Sequence, residues 1–145
     1  MPDNYDYKFT KKEYEKIQFK KDLLKDLDPF AEDAKQEMGE LIERIKARVR
    51  VAILIGEDRV LIADELRQRA PHIQVELIDS PAGYSKGGGD NSLMETVIRT
   101  AKAKAVSGDT VLLAPACASM DQFLSYSDRG DRFKSAVEKV VRDGN

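Results

Sequence analysis

The segment best suited to hold a ligand is Ala114–Phe123, which reads APACASMDQF. It is dense in small residues, and small side chains let backbone N–H groups approach a bound molecule closely. Ser119 adds a hydroxyl that can donate to a carboxylate. If the chain turns helical just after it, the free N–H groups of that first turn favour an anion as well. Taken alone, the same residues also describe a tight strand-to-helix connection in which Ser119 and Asp121 only cap. Composition favours that plainer reading.

Three other features invite chemistry and carry less. Gly83–Asp90, GYSKGGGD, is glycine-rich, but GxxxxGK[ST] is absent and Lys86 precedes the glycines. A flexible, solvated loop is the preferred reading. His72 follows Pro71 at a helix end and has no assignable carboxylate partner, so it reads as a surface residue. Cys117 has no histidine near it in sequence and reads as a packed thiol rather than a nucleophile.

The elements that must position these residues emerge from hydrophobic periodicity. Val49–Ile55, VRVAILI, is a β-branched run of the kind found in buried parallel strands. Gly56-Glu57-Asp58 turns the chain, and Asp58 is placed to cap a helix with Leu61, Ile62, Ala63 and Leu66 on one face. Pro71 ends that helix, and Ile73–Ile78 is a second strand. Ser80–Asn91 is the glycine-rich loop. Ser92 and Glu95 form a capping box for a helix that buries Leu93, Val97, Ile98, Ala101 and Ala105. Gly108-Asp109 turns into a third strand, Thr110–Ala114. A closing helix, Asp131–Arg142, turns Phe133, Val137, Val140 and Val141 inward. Alternating strand and helix means right-handed crossovers and a parallel sheet.

Residues 1–48 differ in texture and read as helix only. Thr10 and Glu13 open one helix, over 10–27. Asp28-Pro29 ends it and starts a second, over 29–47, with Phe30, Ala34, Met38, Leu41, Ile42 and Ile45 on its apolar face. Gly39 is a weak point in it. The expected fold is therefore a three-layer, Rossmann-like α/β sandwich. It has a short parallel sheet of three strands, in order 2-1-3, plus two N-terminal helices. The expected division is a helical segment, 1–48, and an α/β domain, 49–145. Such a sheet has an open edge that the helices or a second copy of the chain must cover.

Composition narrows the function. The chain has 145 residues, of which 41% are hydrophobic and 34% charged. A chain of this size buries roughly 68–70% of its unfolded surface in one core. Net charge is -2, and neither part carries a basic excess, so nucleic acid is not an expected partner. No apolar run nears the roughly 18 residues of a membrane span, and residues 1–20 show no secretory signal. The single cysteine and single histidine exclude the usual zinc sites, and a reducing, cytoplasmic setting is expected.

Gly108–Phe133, GDTVLLAPACASMDQFLSYSDRGDRF, closely resembles the end of the D-glutamate-adding ligases of the Mur family, which build peptidoglycan. The family pattern there is GDxVLLSPACASxDQFxxFxxRGxxF. Residues 49–79 are similar to the same C-terminal domain, with a V-x-L-I-G-x-D strand and turn and a second strand ending in Asp79. About residues 40–142 are covered.

The resemblance implies a three-domain enzyme in which ATP and magnesium activate a carboxylate and D-glutamate attacks it. The third domain delivers D-glutamate. Ser119 and Met120 match positions that bind its side-chain carboxylate, and Tyr126 matches an aromatic position of the same pocket. Asp121, Gln122, Arg129 and Gly130 also match, and read best as scaffolding and caps. The family's substrate lysine sits in GGxxKG after a strand. Here that place reads DPFAEDAKQ, with Lys35 near the right point but without the glycines or the strand.

The ATP and UDP-sugar domains have no counterpart, and residues 1–28 match nothing in the family. The resemblance thus implies a D-glutamate-binding domain that does not turn over alone. It holds no cofactor or metal of its own, and whether the chain acts as an enzyme stays open. The alternative is a non-catalytic scaffold module, a truncated, fused or engineered α/β domain that self-associates through its helices or sheet edge.

Overall fold

The computed structural model describes residues 32–114 and 122–144, with side chains from residue 36 onward in the first stretch. The chain divides into two compact units, residues 1–47 and 48–145.

The first unit contains helix α1, Glu32–Ile45. Met38 and Ile42 are buried and lie four residues apart, the spacing that stacks side chains on one helix face. Gly39 sits within the helix without breaking it. The expected helix over 10–27 lies outside the described residues.

The second unit is α/β. Strand β1, Val51–Leu54, pairs in parallel with β2, Gln74–Leu77, with Val51 opposite Gln74 and Leu54 opposite Leu77. The ladder extends at both ends, where Gln74 N–H donates to the Arg50 carbonyl at 2.9 Å and Ile78 N–H to the Leu54 carbonyl at 3.0 Å. Helix α2, Arg59–Arg69, makes the crossover and packs on both strands. Its buried face is Ile62, Ala63 and Leu66, continued by Ala70 and Ile73. Asp58 stands at its N-cap, but its side chain makes no capping bond. Arg59 fastens this turn instead. Its Nη1 donates to the Gly56 carbonyl at 2.8 Å, and its Nε donates to Asp79 at the end of β2 at 3.0 Å.

Helix α3, Ser92–Lys104, and helix α4, Tyr126–Asp143, pack on each other, and α3 also reaches β1. Leu93, Met94, Ile98, Phe123, Ala136 and Val140 form their shared core, with Ile55, Ile78, Tyr84, Val97, Phe133 and Val137 against it. Three sequence expectations need correction here. Ala105 is exposed because the helix ends at Lys104 and leaves it as an extended C-cap, and Val141 is exposed because it lies just off the stripe marked by Ala136 and Val140. The N-cap of α3 is Asn91 rather than Ser92. The Asp90 carboxylate takes the Ser92 N–H at 2.8 Å and the Ser92 hydroxyl at 2.9 Å. Finally, α4 begins five residues earlier than Asp131. The Ser125 hydroxyl accepts from Asp128 N–H at 3.0 Å, and Asp128 accepts from Leu124 N–H at 3.0 Å, a reciprocal cap.

The sheet formed by the described residues has two strands, not three. Thr110–Ala114 carries no strand, and Val111 and Leu112 are 47% and 79% exposed. A β-branched sequence becomes a strand only when a neighbour completes its ladder, and none does so here. Asp109, just before this stretch, is nonetheless tied down. Its carboxylate pairs with Arg50, whose guanidinium also donates to the Lys104 carbonyl at 3.3 Å. Among the described residues, no helix is long and apolar enough to cross a membrane.

Candidate functional site

Of the four expected site residues, Tyr126 alone has a described side chain. Ser119 and Met120 lie outside the described residues, as do Cys117 and Asp121. Lys35 is in α1, in the first unit, with its side chain outside the description. Tyr126 opens α4, and the Arg129 guanidinium lies over its ring with Cζ 4.9 Å from the centroid. The i, i+3 spacing puts both residues on one face of the helix's first turn.

Gln122 and Phe123, at the C-terminal end of the candidate segment, are firmly held. Gln122 is buried, with 6% of its surface exposed, and its Nε2 donates to the Ser80 hydroxyl at 2.8 Å. Its carbonyl accepts from the Tyr84 hydroxyl at 2.5 Å. Phe123, beside it, is 3% exposed and plugs into the α3–α4 core. Gln122 is therefore scaffolding, as the sequence suggests. It ties the end of the candidate segment to the glycine-rich loop, while Phe123 ties it to the core. Sequence reasoning missed Tyr84, which it passed over as one residue of GYSKGGGD.

That loop is better fastened than a flexible, solvated one. Arg132, on α4, donates to the Gly88 carbonyl at 2.6 Å and to the Asp90 carbonyl at 3.0 Å. Its Nε also pairs with Asp128 at 3.0 Å. In return the Asn91 amide donates to the Arg132 carbonyl at 3.0 Å. Gly87 has φ +82°, in the region that favours glycine, and a Cβ there would come within 3.2 Å of Leu124 Cδ2. We expect Gly87→Ala to lower stability by about 1–2 kcal/mol, mostly as backbone strain, because the exposed Leu124 side chain can give way. Urea unfolding measures this.

The same arrangement does not fit a phosphate. The Asp90 carboxylate already occupies the N-terminus of α3, where a phosphate would have to sit. The backbone of Ser92 and then its hydroxyl hold the Asp90 carboxyl below the usual carboxylate range, so it is charged at neutral pH. A second anion would meet repulsion. Among the described residues, no group of three metal-binding side chains occurs either.

Asp128 is the other tuned group. Desolvation works against its charge, but the Leu124 N–H and the Arg132 guanidinium outweigh it and hold its carboxyl low. A carboxylate whose pKa is lower in the folded state stabilises the fold fully above its unfolded pKa, about 3.9 for aspartate. That stability is lost as pH falls through the folded value. Unfolding monitored from pH 6 to pH 2 should therefore show a steep loss below about pH 4. Asp128→Asn should make that loss shallower while starting from a lower stability at neutral pH.

Comparisons with known proteins agree with the sequence motif. The UDP-N-acetylmuramoylalanine–D-glutamate ligase of Streptomyces avermitilis is 44% identical over 98 residues, covering 68% of this chain and 19% of the relative. That of Streptomyces coelicolor is 43% identical over 101 residues, covering 70% and 20%. That of Leifsonia xyli is 40% identical over 108 residues, covering 74% and 20%. The chain thus spans about a fifth of the length of these relatives. No family model and no solved structure matches it. It is related to part of these ligases, an extent that fits the C-terminal domain whose motif it resembles.

Proposed function

We propose that this chain is the D-glutamate-recognising domain of a ligase of the UDP-N-acetylmuramoylalanine–D-glutamate kind. The observation that carries the proposal is the junction at Gln122–Phe123. The string CASMDQF ends in a pinned, buried pair, so the C-terminal end of the segment is fixed. Tyr126, on the next helix, supplies an aromatic wall. In this reading the Ser119 hydroxyl and the backbone at Met120 hold the amino acid's side-chain carboxylate, and Tyr126 fixes its orientation.

ATP and magnesium belong to other domains of such an enzyme, so the chain alone neither hydrolyses ATP nor forms the amide bond. Bringing the reactants together supplies about 7–11 kcal/mol of such a barrier, and one domain cannot hold every part. Calorimetric titration of the whole chain tests the reading. D-Glutamate should bind weakly and saturably, L-glutamate should not compete, and Ser119→Ala should weaken binding about tenfold or more, the usual worth of a hydrogen bond to a charged group. Absence of D-glutamate binding, or ATP-dependent turnover abolished by Ser119→Ala, would contradict it.

One observation favours a second reading, a self-associating module. Val111 and Leu112 are exposed in a β-prone stretch beside the Arg50–Asp109 clamp, which suits a strand offered to a neighbouring copy. Light scattering decides this: a mass independent of concentration removes it.

A further inference from the structure

The loop between β2 and α3 and the first turn of α4 are fastened to each other through one side chain. Arg132 is 14% exposed. Its Nε donates to the Asp128 carboxylate at 3.0 Å, its Nη1 to the Asp90 carbonyl at 3.0 Å and its Nη2 to the Gly88 carbonyl at 2.6 Å. A planar guanidinium serves its acceptors in fixed directions, so one of them cannot move far without disturbing the others. Asp128 in turn belongs to the cap of α4. Its N–H donates to the Ser125 hydroxyl, and its second carboxylate oxygen takes the Leu124 N–H.

The loop itself buries little. Most of residues 82–90 are exposed, and Gly83 and Gly87 have φ of +76° and +82°. A segment with so little buried apolar surface opens at low free energy unless tertiary contacts hold it. Tyr84, packed on the core with its hydroxyl on the Gln122 carbonyl, holds the first half. Arg132 holds the second half, at Gly88 and Asp90.

We propose that this second half is a strap latched by Arg132, so that the strap and the first turn of α4 open and close as one unit. Whatever orders the start of α4 then tightens the strap, and the coupling runs equally in the other direction. The link does not depend on the D-glutamate reading, since every group in it is a bond within the chain.

Amide hydrogen exchange of the whole chain, read by NMR, tests the latch. Ser125→Ala removes the acceptor of the Asp128 N–H at the far end of the link. The reporters are the Gly88 amide, bonded to the Ser85 carbonyl at 3.2 Å, and the Ser92 amide, bonded to the Asp90 carboxylate at 2.8 Å. Both should exchange about fivefold faster in Ser125→Ala, the effect of a lost helix cap carried in full to the strap. The amides of β1 should keep their rates. In Arg132→Lys, which lacks the planar fork, adding Ser125→Ala should no longer change the Gly88 and Ser92 rates. The first comparison leaves Arg132 intact, so it decides the matter even where Arg132→Lys does not fold. Unchanged Gly88 and Ser92 amides in Ser125→Ala, an equal acceleration in β1, or a transmitted effect that survives Arg132→Lys would each overturn the proposal.

Discussion

Phe123→Ala should cost about 3–5 kcal/mol, the usual range for removing a buried phenylalanine. The ring is 3% exposed and sits among Leu93, Met94, Ile98, Ala136 and Val140, where α3 meets α4. Its loss opens a cavity in the middle of that contact rather than at its rim. Small domains have only about 5–15 kcal/mol in total, so the variant stands near the edge of folding. The functional consequence goes further. Phe123 is the apolar anchor of the candidate segment, and the Gln122 carbonyl beside it holds Tyr84. Releasing the anchor frees the segment from the core and the glycine-rich loop together. Urea unfolding monitored by far-UV circular dichroism measures the stability, since the chain has no tryptophan. A loss below about 1 kcal/mol would mean that the ring is not the anchor.

Met94→Ala is the second large effect, expected at about 2–5 kcal/mol. Met94 is fully buried between the helices, and its flexible side chain fills space that neighbouring residues cannot reach. Leu124→Ala provides the contrast: Leu124 is 62% exposed, so its truncation should change stability by no more than about 0.5 kcal/mol. The same urea experiment compares them. Similar losses in both variants would show that the core does not lie where the helices meet.

Much of the second unit was readable from the residues. Val51–Leu54 is a short apolar run and Gln74–Leu77 alternates polar and apolar residues, and the periodicity of α2 and α3 exposes their buried faces. The misses have physical causes. Met94 stands i, i+3, i+4 and i+7 with Val97, Ile98 and Ala101, so its burial was legible, and a stripe begun at Leu93 missed it. The true start of α4 was hidden by Gly130, which weakens the helical pattern of Tyr126–Gly130. Yet Ser125 and Asp128, spaced S-x-x-D, were a capping signal in plain view. Thr110–Ala114 has the composition of a strand, but pairing is a property of two segments, and one segment's sequence cannot reveal that its neighbour is missing. Arg132 was beyond reach for a related reason. Its partners, Gly88 and Asp90, lie more than forty positions away and offer backbone carbonyls, which no side-chain pattern marks.

For the site, the motif indicated which segment matters and which residue types line it. It did not name the partners through which Gln122 holds the end of that segment, the hydroxyls of Ser80 and Tyr84.

The most direct measurement is an amide map of the uniformly labelled chain during titration with D-glutamate, with L-glutamate as control. The account predicts saturable shifts concentrated at Ser119, Met120 and Tyr126, weak in affinity and absent with the L-enantiomer. Unmoved amides at those three positions, or equal shifts with both enantiomers, would contradict it.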